Sequence, residues 1–101
     1  MMLIVTGYMY VEPWSIAEFV QDLQNLAIAT RQRDGNLSYD AAVDDPLAGR
    51  LLIAERWRDQ AALTAHLHAT DTMAFVGRWG HTIRGEILKY DALRKRGLMD
   101  E

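Results

Sequence analysis

Apolar positions along this chain change period several times, and each change marks an element. Residues 2–11 run through β-branched and aromatic side chains and predict a first strand. Ile16, Phe19, Val20, Leu23, Leu26 and Ala27 then recur at three and four residues, which lays one apolar stripe along a helix. Ser15-Ile16-Ala17-Glu18 has the form of a capping box, Trp14 and Phe19 stand where a hydrophobic staple would sit, and Pro13 bars an earlier start. This helix is expected to reach Arg33 and stop at Asp34-Gly35, with Gly35 left-handed. Leu37, Tyr39, Ala41 and Val43 share one face of a second strand, and Asp44 to Gly49 has turn composition. A third strand spans Arg50 to Trp57. Asp59 is the expected N-cap of a helix with Ala62, Leu63, His66 and Leu67 on one side. A further helical piece after Thr72 carries Met73, Val76 and Gly77, with Phe75 and Trp79 one ring over, and ends at Gly80. Ile83 to Tyr90 reads as the last strand.

The order β-α-β-β-α-β is that of a ferredoxin-like sandwich, an α+β fold. Residues 1–92 are expected to form the domain and residues 93–101 a polar C-terminal tail. Helices cover one face of such a sheet. The other face would carry Ile4, Tyr8, Tyr10, Leu52 and Ala54, too apolar to leave in water, so a homodimer that stacks sheet on sheet is expected.

Composition narrows the function. With 101 residues, 50% hydrophobic and 25% charged, the chain suits one ordinary globular core. The absence of Cys excludes thiol nucleophiles, Cys-ligated zinc, iron–sulfur clusters and disulfides. A net charge of −3, with Arg94-Lys95-Arg96 as the one basic cluster, argues against a nucleic-acid partner. No apolar run approaches the roughly 18 residues of a membrane span, and Met1 to Val5 reads as strand rather than leader. A cytoplasmic protein is the expectation.

Among residues able to do chemistry, His66 stands on the apolar side of its helix, where it is either a satisfied core histidine or a pocket group. His68 is about 200° further round and cannot share a metal with it, and His81 falls in a loop, so no metal site is expected. Glu55 and Trp57 share a strand face. Their plain reading is that Trp57 packs and Glu55 pairs with an arginine. Tyr39 is equally open to a core or a pocket role, whereas Phe75 and Trp79, one helical turn apart, read first as core and second as the aromatic wall of a pocket. No phosphate-binding glycine loop, Ser–His–acid set or paired carboxylates are present, so the substrate must carry much of any chemistry.

Asp34-Gly35-Asn36-Leu37-Ser38-Tyr39, Asp45-Pro46, Leu52 to Trp57, Ala61-Ala62-Leu63 and His66-Leu67 together resemble the antibiotic biosynthesis monooxygenase superfamily. The likeness lies in a Gly-x-x-x-Tyr strand, a Glu-x-Trp strand end and an Ala-Leu-x-x-His helix, and it extends over residues 3–90. It implies a dimeric α+β barrel with an apolar pocket between helices and sheet. It also implies oxygenation of a small aromatic by dioxygen without a cofactor. In that scheme His66 accepts or hydrogen-bonds the acidic proton and Tyr39 donates to the oxyanion, while Trp57, Phe75 and Trp79 hold the ring. Haem-degrading relatives carry an asparagine near Thr6-Gly7, which this chain lacks, although His66 would remain available to iron. A binding or sensing dimer without turnover is the other alternative.

Overall fold

The computed structural model describes all 101 residues. Four strands, β1 (Met2–Tyr10), β2 (Asn36–Asp45), β3 (Arg50–Trp57) and β4 (Arg84–Ala92), form one antiparallel sheet in the order β2-β3-β1-β4. Helices α1 (Ile16–Thr30), α2 (Gln60–Leu67) and α3 (Thr70–Trp79) lie on one face. This is the expected α+β, ferredoxin-like arrangement, with the second helical region divided in two. Beyond Ala92 the chain forms no helix or strand, and no helix is long and apolar enough to cross a membrane.

Alternation decides which side of the sheet is inside. Along β3, Leu51, Ile53, Glu55 and Trp57 are buried while Leu52, Ala54 and Arg56 are exposed, and on β1 Leu3, Val5 and Met9 are buried. From α1 the side chains of Phe19, Leu23 and Ala27 enter the same core. On the opposite face Tyr8, Leu52, Leu88 and Tyr90 are each between 41% and 52% exposed, a run of apolar surface across three strands.

Several local expectations differ from the structure. A short 3-10 turn, Pro13–Ser15, leads into α1, and Ser15 already has helical dihedrals (φ −96, ψ −5). An N-cap side chain reaches back only from extended backbone, so Ser15 makes no capping bond. Trp14 is 81% exposed and staples nothing. Helix α1 ends at Thr30 rather than Arg33, with Thr30 Oγ1 donating to the Leu26 carbonyl at 2.7 Å. Gly35 is left-handed (φ +82), as expected. Leu37 leaves the inner face because the β2–β3 register shifts between Asn36 and Ser38. On α3 the inward residues are Thr72, Phe75 and Trp79, not Met73. The reason is the Phe19 ring, which meets Phe75 at 5.5 Å and Trp79 edge-on at 5.2 Å. The Asp59 cap does form, with Oδ1 accepting the Ala62 amide at 2.9 Å.

The β2–β3 turn is closed by its own chemistry. Asp45 Oδ1 accepts the amides of Leu47 and Ala48 at 3.1 and 3.2 Å, and Gly49 takes φ +71. A Cβ on Gly49 would stand 1.9 Å from the Val11 carbonyl oxygen, while the Gly49 carbonyl accepts the Val11 amide at 2.9 Å. Both strain and overlap oppose a side chain here. Gly49→Ala is therefore expected to lower unfolding free energy by about 1–3 kcal/mol, measured by urea denaturation. An unchanged midpoint would refute the account.

Candidate active site

Between the helices and the β1–β4 side of the sheet lies a cavity of about 550 Å³. Its walls are apolar, with Val5, Leu23, Ile53, Leu63, Phe75 and Ile87 among them. Four polar side chains interrupt this lining at one end: Tyr39 from β2, Glu55 from β3, His66 from α2 and Thr72 from α3. Tyr39 and Glu55 are direct cross-strand partners, and the His66 ring stands 5.7 Å from the Tyr39 ring. The inward register of β3 delivers Glu55, and the Asp59 cap starts α2 so that its second turn aims His66 at the sheet.

His66 is held by its Nδ1 edge. Arg33 Nη1 donates to Nδ1 at 2.5 Å, Thr72 Oγ1 lies 3.3 Å away, and the same Arg33 nitrogen donates to Thr30 Oγ1 at 2.9 Å. Arg33 also pairs with Asp71. A guanidinium has only donors, so Nδ1 is the acceptor and the neutral ring carries its proton on Nε2. Burial and the neighbouring Arg33 charge pull the His66 pKa down to about 4, against a smaller opposing pull from Asp71. At neutral pH His66 is an uncharged donor, and the proton-acceptor role expected of it does not fit this tautomer.

Glu55 is the carboxylate at the same end of the cavity. Its Oε1 accepts the Trp57 indole N–H at 2.9 Å, and burial pushes its pKa up to about 7, partly offset by that hydrogen bond. No arginine pairs with it, contrary to the plain expectation. Tyr39 is pushed well above the ordinary phenol value, first by burial and then by the adjacent Glu55, so its hydroxyl stays protonated. No side-chain nitrogen or oxygen is both sealed from solvent and unpartnered. Glu55 Oε2, His66 Nε2 and Tyr39 Oη bond to nothing within the chain, so each keeps contact with open space. The space their residues share is this cavity.

The structure thus unites His66, Tyr39 and Phe75 at one cavity and leaves Trp57 and Trp79 outside its lining. Trp57 is completely buried behind His66, ring centroids 4.9 Å apart, and packs rather than facing a ligand. Trp79 is turned toward α1, its indole N–H held by Asp22 Oδ2 at 2.9 Å. Arg33 was not legible as part of the site, whereas Glu55 had a readable sign in a carboxylate at an inward strand position. No cluster of three His, Asp or Glu side chains is arranged to hold a metal ion. Haem does not fit His66 well. Iron would need the Nε2 lone pair, and ligating imidazoles usually donate Nδ1–H to an acceptor, where this ring meets an arginine donor.

The two shifted groups act oppositely on stability. Glu55 holds its proton more tightly folded than unfolded, so its contribution weakens as pH rises from about 4.5 to about 7. His66 holds its proton less tightly, so its contribution grows as pH rises from about 4 to about 6.5. Unfolding free energies measured across this range should separate them. The difference Glu55→Gln minus wild type is expected to rise with pH, and His66→Gln minus wild type to fall. Parallel curves for all three proteins would contradict both assignments.

Comparison with known proteins agrees with the fold and with the family resemblance. The family model described as antibiotic biosynthesis monooxygenase matches residues 2–78. YcnE of Bacillus subtilis (strain 168), described as a candidate monooxygenase, is 27% identical over 77 residues, covering 76% of this chain and 81% of that protein. A crystal structure of a candidate antibiotic biosynthesis monooxygenase from Deinococcus radiodurans superposes with a TM-score of 0.85 at 28% identity, over 97% of this chain and 99% of the other. Another from Caulobacter crescentus CB15 shares the fold with a TM-score of 0.83 at 24% identity, over 92% and 91% of the two chains. With its Glu-x-Trp strand end and Ala-Leu-x-x-His helix inside the matched region, the chain belongs to the antibiotic biosynthesis monooxygenase family.

Proposed function

We propose that the protein is a cofactor-independent monooxygenase acting on a small aromatic with an acidic hydroxyl, a phenol, quinol or polyketide-like ring. The observation that carries this reading is a buried carboxylate, its pKa pushed up to about 7 by burial, beside two neutral donors at the inner end of a mostly apolar cavity. Glu55 takes the hydroxyl proton, a task for which a base poised near the working pH is best suited. The neutral His66 Nε2–H and the Tyr39 hydroxyl donate to the oxyanion that forms, in surroundings where such bonds are strengthened by the exclusion of water. Phe75 and the aliphatic walls hold the ring. The electron-rich anion then reduces dioxygen. For a naphthol oxidised to a quinone, four electrons leave the ring. Dioxygen takes them, placing one oxygen atom in the new carbonyl and the other in water.

Oxygen uptake with naphthols and anthrones, in the presence of a chelator and without flavin, tests the reading. Wild type is expected to consume oxygen. Glu55→Gln should lower kcat about 10²–10⁴-fold, as loss of a general base does, and should abolish the rise of rate with pH through 7. His66→Ala should cost about 10²–10³-fold, as loss of an oxyanion donor does. The exposed His68→Ala should leave the rate unchanged. Tight binding of these aromatics with no oxygen uptake would replace this reading with a binding or sensing role.

The same proposal includes a homodimer through the outer sheet face, supported by the exposed Tyr8, Leu52, Leu88 and Tyr90. Sedimentation of wild type is expected to give a dimer at micromolar concentration, and Tyr8→Asp to shift it toward monomer. A wild-type monomer would overturn the assembly.

A further inference from the structure

One cation faces the cavity outside the Tyr39–Glu55–His66 cluster, and the mechanism above leaves it unused. Lys89 on the edge strand β4 lines the cavity and takes part in no ion pair of the chain. Its ammonium donates to a neutral acceptor, Gln60 Oε1 at the start of α2, at 2.8 Å. The surrounding lining, Leu67, Val76 and Ile87, is 40% to 56% exposed, which places this end at the mouth. Strand register fixes the distance to the chemistry. Val5 pairs with Glu55 on one side and with Lys89 on the other, so the two charged residues share one row across the sheet floor. Two strand spacings separate their backbones, about 10 Å.

We infer that Lys89 is a specificity residue for an acidic group at the far end of the aromatic substrate, whose hydroxyl meets Glu55 and His66. This rests on the function proposed above and extends it to a substrate class, a hydroxyarene carboxylate of one or two fused rings. Its apolar body spans the floor over Val5, its hydroxyl lies at the buried end, and its carboxylate replaces Gln60 as the acceptor for Lys89. A phosphate suits the mouth less well. It is best met by several converging donors or an arginine fork, whereas here a single ammonium stands, held by the neutral Gln60 Oε1.

Equilibrium dialysis at pH 7 with three naphthalene probes tests the inference. In 6-hydroxy-2-naphthoate the two groups stand at opposite ends, in 1-hydroxy-2-naphthoate they are adjacent, and 2-naphthol lacks the acid. Wild type is expected to bind the first about tenfold or more tighter than 2-naphthol, the scale of a hydrogen bond to a charged group. The adjacent isomer should show no such gain. Lys89→Met keeps the aliphatic stem and should bring 6-hydroxy-2-naphthoate to parity with 2-naphthol, while leaving 2-naphthol binding and the thermal midpoint unchanged. Equal binding of all three probes to wild type, or an advantage that survives in Lys89→Met, would overturn the role of Lys89 and leave the cavity reading intact. Binding of none of the three would overturn both.

Discussion

A guanidinium N–H aimed at His66 Nδ1 constrains everything else at the cavity. Arg33 lies just past the end of α1, and its reach to Thr30, His66, Thr72 and Asp71 ties three helical segments together at one point. The tie fixes the ring's tautomer, lowers its basicity and sets its other nitrogen free. Without Arg33 the imidazole would be free to adopt either tautomer, and burial alone would hold its basicity down against the opposing pull of Asp71. With it, the proposed mechanism gives acid–base work to Glu55 and hydrogen-bond donation to His66. The division of labour follows from one contact supplied by a residue that need not touch the substrate.

Glu55 itself is held at a cost to stability. An ionised carboxylate in an apolar lining lacks the partners that would stabilise it, and the Trp57 indole supplies a single hydrogen bond. A leucine at this inward position of β3 would continue the alternation of Leu51 and Ile53 and would pack without a desolvation penalty. The carboxylate is tolerable because its second oxygen still reaches open space and because the surrounding sheet is well paired. Local inconsistency of this kind, one polar group in an apolar row, is where sites are commonly found.

The elements themselves were largely legible in the sequence, because hydrophobic period reports directly on which face is buried. The α1 stripe from Phe19 to Ala27, the β3 alternation and the Asp59 cap depend on neighbours a few residues away. What failed depended on distant partners. Met73 read as inward on α3 by spacing, but the Phe19 ring on another helix decided that Phe75 and Trp79 face inward instead. The family scheme cast Trp57 and Trp79 as walls for a ligand, whereas the spacing of each already read as packing. Their actual positions follow from an indole bond to Glu55 in one case and to Asp22 in the other. Arg33 was invisible because its contacts to His66, Asp71 and Thr72 lie 33 to 39 residues away in the chain. The His66 tautomer was hidden with it.

The strand order carries a consequence for how the chain is made. Strand β1 is synthesised first yet lies inside the sheet, between β3 and β4, and its Met2 pairs with Ala92. Only β2 and β3 can close as a local hairpin. On a ribosome, the apolar Leu3-Ile4-Val5 segment must wait without its second edge until nearly the entire domain has emerged, a state in which unpaired strands are prone to associate with other chains. Pairings this far apart in sequence also slow the final closure of the sheet. The cavity has β4 as one wall, so it cannot exist in any shorter nascent fragment, and the site is completed only by the last strand to arrive.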